Sequence, residues 1–274
     1  MNLNKINYAY SRHGFIGAIN TILGKFGIKF RFTTPLEKMI IYLGNRIETL
    51  TKNRILSGIY KNTHLEINKN WNSQDTSAKF LGIYEKEVQN EISRIQSKSS
   101  RKKKYFINLG AGEGFHIVGC LKNKLFKNGL AFESDLEAQK CLKINFEKNN
   151  IKNINIYGLA DGNFLKENYF KEINLKDCFF LIDIEGGEFT ILNNENLKKL
   201  RKSILIIEIH DFYKSPKKLV NNLKKYFNIN FISTGERDLS KFTILDNFHD
   251  SEKWLLANEG RPKKMYWISC LPKK

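Results

Sequence analysis

Residues 105–114 read Tyr-Phe-Ile-Asn-Leu-Gly-Ala-Gly-Glu-Gly. The first five residues form a short, mostly apolar run that is typical of a buried strand, and glycines follow at 110, 112 and 114. Glycine lets the backbone turn tightly and approach a ligand closely, and the first amides of a following helix attract negatively charged groups. The pattern predicts a strand, a loop and a helix with a ligand at the loop. A plain strand–helix turn would explain the glycines of this loop taken alone.

Short apolar runs recur along the rest of the chain and alternate with stretches of helical length, such as Asp135 to Asn149. The runs are GLAFE (129–133), NINIYG (153–158), CFFLIDI (178–184), SILIIEIH (203–210) and NINFIS (228–233). Strands separated by helices predict right-handed βαβ units and a parallel sheet that is buried on both faces. The last run, KMYWISC (264–270), fits a final antiparallel strand. The predicted fold class is α/β, a doubly wound, Rossmann-like sheet.

The first third of the chain has a different pattern. Residues 35–97 are predicted to be helical, and the clearest helix runs from Thr76 to Arg94 with Asp75 as its N-cap. Its apolar stripe consists of Leu81, Tyr84, Val88, Ile92 and Ile95. The segment KSSRKKK (98–104) is interpreted as an exposed linker, with a phosphate-binding patch as the alternative. We therefore divide the chain into a basic, mainly helical region, 1–104, and a sheet domain, 105–274.

The net charge is strongly positive and unevenly distributed. The 274 residues carry 46 Lys and Arg against 28 Asp and Glu, a formal charge of +18. Residues 1–104 hold 19 basic and 7 acidic side chains, whereas residues 105–274 hold 27 and 21. Lysine outnumbers arginine by 37 to 9, and nucleic-acid-binding proteins rely on arginine for bidentate contacts. A/T-rich codons and a solvated face explain this excess better than a nucleic-acid partner.

No apolar run reaches the length of about 18 residues that a membrane-spanning helix needs. The run from Gly14 to Leu23 is interrupted by Asn20 and lacks a signal-peptide cleavage site. The basic residues around it fit a peripheral membrane contact, although a helix packed on its own domain fits better. The four cysteines lie far apart, which favours a reducing compartment. The predicted location is the cytoplasm.

Two carboxylates follow the second and third predicted strands. Glu133 lies 23 residues after Gly110, where a carboxylate accepts hydrogen bonds from the ribose hydroxyls of NAD or of S-adenosylmethionine. The dinucleotide motif is G-x-G-x-x-G, but the third glycine here comes one residue early, which favours S-adenosylmethionine. Asp161 is a candidate acceptor for an adenine amino group, or a helix cap.

The ends of the fourth and fifth strands carry the most unusual residues. Asp183-Ile184-Glu185-Gly186-Gly187-Glu188 places three carboxylates within six residues. Glu208 and His210 end the next strand, beside Asp183 in the expected strand order. A histidine among carboxylates is a natural general base near neutral pH, and the same pocket suits Mg²⁺. In the alternative interpretation, Glu188 only caps a helix and His210 is structural.

The strings INLGAGEG, AFES, FLIDIEGGEF and LIIEIH, within residues 105–215, resemble the FkbM-type family of S-adenosylmethionine-dependent methyltransferases. The resemblance implies O-methylation, often of sugar hydroxyls in glycans or natural products. It also implies that Glu133 holds the donor ribose and that Asp183 lies near the transferred methyl group. The implied site for the methionine part comprises Asn108, Gly110, Ala111, Gly112, Glu113 and Gly114. Asn108 replaces a common acid, and Ser134 replaces a common proline.

We therefore expect a methyltransferase whose hydroxyl acceptor binds above the ends of strands four and five. His210 or Asp183 is the predicted base, and Glu185 and Glu208 orient the acceptor or a divalent cation such as Mg²⁺. The candidate metal ligands are Asp183, Glu208 and His210. If the basic charge has a function, we expect residues 102–104 to recruit an anionic glycan, a lipid-linked acceptor or a membrane surface.

Three alternatives remain. The first is an RNA methyltransferase recruited by the basic region, although Asp183 is not followed by the proline motif of amino-methylating DNA enzymes and the acidic mouth repels phosphate. The others are a non-catalytic S-adenosylmethionine-binding protein and a nicotinamide dehydrogenase. The sequence does not identify the acceptor or the oligomeric state.

Overall fold

The computed structural model describes residues 3–25, 32–67, 74–98, 103–165, 168–211, 214–261 and 265–273. Seven strands form one sheet in the order β3-β2-β1-β4-β5-β7-β6. The strands are β1 Tyr105–Leu109, β2 Asn128–Phe132, β3 Ile154–Tyr157, β4 Cys178–Ile182, β5 Ile204–Glu208, β6 Phe227–Ser233 and β7 Tyr266–Pro272. Strands β1 to β5 are parallel, and β7 lies antiparallel between β5 and β6. The predicted α/β fold with an antiparallel last strand is confirmed.

Helices cover both faces of the sheet. They are α1 Leu3–Lys25, α2 Pro35–Thr51, α3 Thr76–Leu81, α4 Lys86–Lys98, α5 Phe115–Lys122, α6 Leu136–Lys148, α7 Glu188–Ile191, α8 Asn194–Leu200, α9 Lys217–Tyr226 and α10 Asp250–Leu256. Apolar side chains of α2 to α6 and α10 share one core with one face of the sheet. Those of α7, α8 and α9 share a second core with the other face.

Strand alternation assigns side chains to the two cores. In β1, Phe106 belongs to the first core, whereas Ile107 and Leu109 belong to the second. In β4, Phe179 and Phe180 divide in the same way. Consecutive residues such as Phe179 and Phe180 are fully buried although they belong to different cores, because the sheet has helices on both sides. The continuous apolar runs of the sequence have this physical cause.

The single helix predicted from Thr76 to Arg94 is wrong. Gly82 adopts a left-handed conformation (φ 76°) and ends α3, Glu85 also has a positive φ (46°), and α4 begins afterwards. The side chain of Asp75 makes no capping hydrogen bond; it contacts the Lys79 ammonium instead. The predicted stripe is nevertheless buried, because Leu81 and Val88 both face the first core.

The continuous helical pattern predicted for residues 35–97 is also interrupted earlier. Helix α2 begins with a capping box between Thr34 and Glu37 and ends at Lys52, which has a left-handed conformation. Residues 52–67 form turns with one short 3-10 segment at Gly58–Tyr60. Of the predicted linker 98–104, residues 99–102 lie outside the described residues.

Helix α1 contains a kink at Gly14, where the backbone is not helical (φ 59°, ψ −153°). The Asn20 amide pairs with the backbone of Phe32, donating to its carbonyl (2.7 Å) and accepting from its N–H (2.8 Å). Among the described residues, no helix combines the length and the apolar character that crossing a membrane requires. The division of the chain at residue 104 stays a prediction, although buried side chains on both sides of it share the first core.

Candidate active site

A cavity of about 190 Å³ opens at the carboxyl ends of β1 and β4. The glycine loop forms one wall, Asp183 and Glu185 form another, and residues of α3 and of the segment after it form a third. The lining side chains outside the loop are Asp75, Lys79, Tyr84, Glu85, Asn108, Phe115, His116, Leu181, Asp183, Glu185 and Trp267. Ligands of doubly wound sheets bind at this edge. The sequence did not indicate that four of the lining residues belong to the site: Asp75, Lys79, Tyr84 and Glu85.

The glycines of the loop serve packing as well as access. Gly110 has a left-handed conformation (φ 77°), and a Cβ atom there would overlap the carbonyl of Asp183. A Cβ atom on Gly114 (φ 96°) would likewise collide with Leu142 and Val118. Gly112 lines the cavity, and its N–H donates to Glu133 Oε2 (2.7 Å). The sequence predicted that the glycines let a ligand come close to the backbone. At Gly110 the close neighbour is instead the backbone of Asp183, which follows β4.

The two carboxylates proposed for the donor nucleoside have different surroundings. Glu133 is buried, and its other oxygen accepts from the N–H of Asp135 (2.8 Å). Asp161 is exposed and accepts from the N–H of Asn163 (2.7 Å), so its observed contact is that of a turn cap. The predicted adenine contact of Asp161 stays a prediction.

The structure brings the predicted catalytic side chains together around His210. Its Nε2 lies 3.5 Å from Asp183 Oδ1, 3.5 Å from Glu185 Oε2 and 3.7 Å from Glu208 Oε2. Its Nδ1 and its backbone N–H both face Oε1 of the fully buried Glu188, at 3.1 and 3.0 Å. Glu188 therefore orients the imidazole, which the sequence did not indicate. The catalytic roles of these residues stay predictions.

This crowding changes the proton affinities of the site. Burial and the Glu208 carboxylate raise the pKa of Asp183 well above its usual range. Burial and the Glu85 carboxylate raise the pKa of Glu208, against the lowering effect of Arg261. Burial lowers the pKa of His210, but the hydrogen bond to Glu188 and the charge of Glu208 outweigh it, so the net shift is upward.

Arg261 is the cation of this acidic cluster, and the sequence interpretation assigned it no role. Its guanidinium contacts Glu208 and lies 2.6 Å from Glu85 Oε1, above the ring of Trp267 (4.6 Å to the centroid). Burial alone would raise the pKa of Glu85, but a hydrogen bond from His116 and the charge of Arg261 lower it to about 2. No motif in the sequence indicated Arg261, which lies 53 residues after Glu208 along the chain; residues 262–264 lie outside the described residues.

A second buried ion cluster lies at the glycine-loop side of the cavity. Lys79 Nζ lies 2.9 Å from Asp75 Oδ2 and contacts Glu113 Oε1. All three side chains are less than 9% exposed. Asp75 Oδ1 has no hydrogen-bond partner among the described residues. We call Asp75, Lys79 and Glu113 the lysine triad.

Among the described residues, two groups of three side chains lie close enough together to share a metal ion. Asp183, Glu185 and His210 offer ligand atoms within 4.8 Å of one another, as do Glu85, Asp183 and Glu208. Arg261 already contacts Glu85 and Glu208. The predicted divalent cation therefore has no support beyond the proximity of these acids.

The lysines of the predicted linker lie at the opposite edge of the sheet. Lys103 and Lys104 precede β1, and they line a groove of about 740 Å³ together with lysines that precede or flank β2 and β3. The lysines lining it are Lys103, Lys104, Lys122, Lys124, Lys127 and Lys152. Lys103 donates to the carbonyls of Lys176 and Lys202. We call this surface the lysine groove.

The Methyltransferase FkbM domain matches residues 72–231, which is more than half of the chain and begins upstream of β1. No curated protein sequence matches the chain. Among solved structures, the METTL16 MTase domain has a TM-score of 0.50 and 14% identity, covering 86% of this chain and 80% of that one. Precorrin-6y C5,15-methyltransferase from Geobacter metallireducens GS-15 has a TM-score of 0.42 and 12% identity (68% and 89% covered). At such identities the likeness shows the fold alone.

Proposed function

Because the chain belongs to the FkbM methyltransferase family, we propose that it transfers a methyl group from S-adenosylmethionine to a hydroxyl group of a sugar, glycan or small natural product. The observation that carries the proposal is the position of Asp183. Its carboxylate lines the cavity beside the glycine loop, and His210 lies 3.5 Å behind it. A proton acceptor thus stands next to the place where the family holds its donor.

The residues at the cavity suit this donor. S-adenosylmethionine supplies an electrophilic methyl group on a positively charged sulfur. The acids that line the cavity favour a cation over a phosphate. The Glu133 carboxylate, which is buried beside the glycine loop and accepts from the N–H of Gly112, is the candidate acceptor for the ribose hydroxyls. The short G-x-G-x-G loop has no pyrophosphate to hold, in contrast to the dinucleotide motif.

The geometry favours Asp183 over His210 as the group that takes the acceptor proton. Asp183 lines the cavity and is partly exposed, whereas His210 is only 1% exposed and does not line it. The raised pKa of Asp183 makes it a stronger base than an ordinary carboxylate. The proton moves from the hydroxyl to Asp183, the oxygen forms a bond to the methyl carbon, and the carbon–sulfur bond breaks to leave a neutral thioether.

The surrounding side chains position this base. His210, held by Glu188, lies close to Asp183 and stabilises whichever carboxylate is ionised. Arg261 pairs with Glu85, which lines the cavity, and with Glu208, which does not line it. Glu185, which is largely exposed at the mouth, is placed to orient a hydroxyl acceptor.

Two measurements test the proposal. Calorimetric titration of the full chain should detect S-adenosylmethionine and not NAD; the reverse result would indicate a dehydrogenase. Incubation with donor labelled at the methyl group should then label a panel of glycans and hydroxylated small molecules. Asp183→Ala should lower turnover by at least about 1000-fold and keep donor affinity within about threefold. Full activity of this variant would contradict the assignment.

RNA methylation is the second acceptor class to be tested. The acids at the mouth of the cavity oppose a phosphate backbone. Label in RNA, with an affinity that falls steeply as salt rises, would replace the hydroxyl acceptor in our proposal. The predicted Mg²⁺ is tested in the same assay, because a required cation would make activity sensitive to EDTA and restorable by MgCl₂.

A further inference from the structure

The strongest unassigned feature is the unsatisfied carboxylate of the lysine triad. Asp75 is only 3% exposed, lines the cavity, and has one oxygen without a hydrogen-bond partner among the described residues. A buried carboxylate oxygen without a donor is costly, because the group has lost its water and gained nothing in return. Because Asp75 lines the cavity, a ligand bound there can supply the missing donor.

The charge of the triad defines what that ligand carries. Asp75 and Glu113 are acids and Lys79 is a single cation, so the cluster has one uncompensated negative charge when all three are ionised. A lysine ammonium has three N–H groups, two of which are directed at these acids, and one remains for an acceptor. The triad therefore complements a group with both an ammonium and a carboxylate.

The end of β1 brings no charge to the same cavity. Asn108, the second-last residue of β1, is neutral, and its amide donates weakly to the carbonyl of Gly110 (3.4 Å). Burial raises the pKa of Asp75 to about 6, so this carboxylate gains by receiving an ammonium.

We propose that the lysine triad binds the amino-acid end of the methyl donor, with Asp75 accepting from its ammonium and Lys79 donating to its carboxylate. This inference rests on the proposed function, because it assumes the methyl donor. Asp75, the residue before α3, thus supplies the negative charge that the neutral Asn108 does not. Glu113, which follows Gly112 in the glycine loop, holds Lys79 from the other side.

The test compares two ligands that differ only in this end. S-adenosylhomocysteine carries the amino-acid group, and 5′-methylthioadenosine lacks it. Calorimetry on the full chain should show that Asp75→Asn weakens S-adenosylhomocysteine by at least about 10-fold, the size of a lost charged hydrogen bond. Its affinity for 5′-methylthioadenosine should stay within about twofold of the wild type. Asp177→Asn, which changes a buried acid beside β4 at the other edge of the sheet, is the matched control and should change neither affinity.

A second variant separates this role from a purely structural one. Asn108→Asp introduces an acid near the end of β1. In the double variant with Asp75→Asn, this acid should recover at least part of the S-adenosylhomocysteine affinity. As a single change it should tighten S-adenosylhomocysteine and leave 5′-methylthioadenosine unchanged.

The outcomes distinguish this inference from the proposed function. Equal loss of both ligands in Asp75→Asn, or no loss of either, overturns the role of the triad while the donor site stands. A wild-type chain that binds neither ligand overturns both proposals. Selective loss of S-adenosylhomocysteine, with rescue by Asn108→Asp, supports the triad.

Discussion

The two edges of the sheet carry opposite charge, and their charged side chains differ in burial. At the carboxyl edge, Glu208 and the lysine triad are buried and Asp183 is partly buried, and each lies within 4 Å of an oppositely charged or titratable partner. At the amino edge, five of the six lysines of the lysine groove are exposed. Water stabilises the exposed charges, whereas the buried ones depend on their partners. The same kind of substitution should therefore have large effects at one edge and small effects at the other.

The largest loss of stability is expected when Arg261, the cation between Glu85 and Glu208 at the carboxyl edge, is replaced. Arg261→Met leaves Glu85 and Glu208 buried without their guanidinium, so it should lower the free energy of unfolding by about 3 kcal/mol. Chemical denaturation measures this value. The matched control is Arg201→Met, which removes an exposed arginine and should change it by less than about 0.5 kcal/mol. Equal values for the two variants would mean that the buried pairs contribute nothing.

A smaller change in the free energy of unfolding, in the opposite direction, is expected when Asp183 is replaced. Its pKa is raised in the folded chain, so ionisation favours the unfolded state, and stability falls as pH rises through the window above the usual aspartate value. Asp183→Asn removes this cost and should raise the free energy of unfolding at pH 7; because the side chain is 35% exposed, solvent screening keeps the gain below about 1 kcal/mol. The gain should disappear below about pH 4, where an unperturbed aspartate is itself protonated. A loss of stability at pH 7 would contradict the raised pKa.

The pH dependence of turnover tests whether the Glu208 charge raises the pKa of Asp183. Methyl transfer requires ionised Asp183, so the rate should fall as pH drops through its pKa. The charge of Glu208 contributes to raising this pKa. Glu208→Gln should therefore shift the acidic limb of the rate profile to lower pH. Glu236→Gln, a change at an exposed glutamate, is the control that should leave the limb in place. A shift to higher pH would contradict the assignment of this limb to Asp183 and Glu208.

The smallest effects are expected in the lysine groove. Changing Lys122, Lys124 and Lys127 together to Gln should alter the free energy of unfolding by less than about 0.5 kcal/mol per residue and leave donor affinity unchanged. The same triple variant tests whether the basic charge recruits an anionic acceptor, because acceptor affinity should then fall while donor affinity does not. Unchanged acceptor affinity would assign the lysines to a solvated surface.

The position of the basic charge illustrates how far a linear division of the chain can mislead. By sequence, the excess belongs to residues 1–104 and to the linker that ends them. In the fold, Lys103 and Lys104 join lysines from residues 122–152 at the amino edge. Parallel strands all begin at one edge, so residues that precede different strands meet there regardless of their distance along the chain.

Local patterns were sufficient for the sheet and for part of the site. Each strand overlaps an apolar run that the sequence marks, because burial on both faces demands continuous apolar residues. Asp183, Glu208 and His210 were predictable neighbours, since they follow adjacent strands. The break at Gly82 was not predictable, because helical spacing continues on both sides of it. The backbone of Ser57, which is distant in sequence, packs against Gly82 so closely that a Cβ atom there would collide with it.

The sequence by itself determined the strands, the glycine loop and the acids that end β4 and β5, because these follow from periodicities and spacings within a few residues. Only the tertiary structure decided which charges pair. Arg261 reaches Glu85 across 176 residues, and Lys79 reaches Glu113 across 34. No local pattern encodes such pairs, because a buried charge selects its partner through three-dimensional proximity in a medium that excludes water. The carboxyl edge thus became a site with its own cations, Lys79 from a segment before β1 and Arg261 from the segment between β6 and β7.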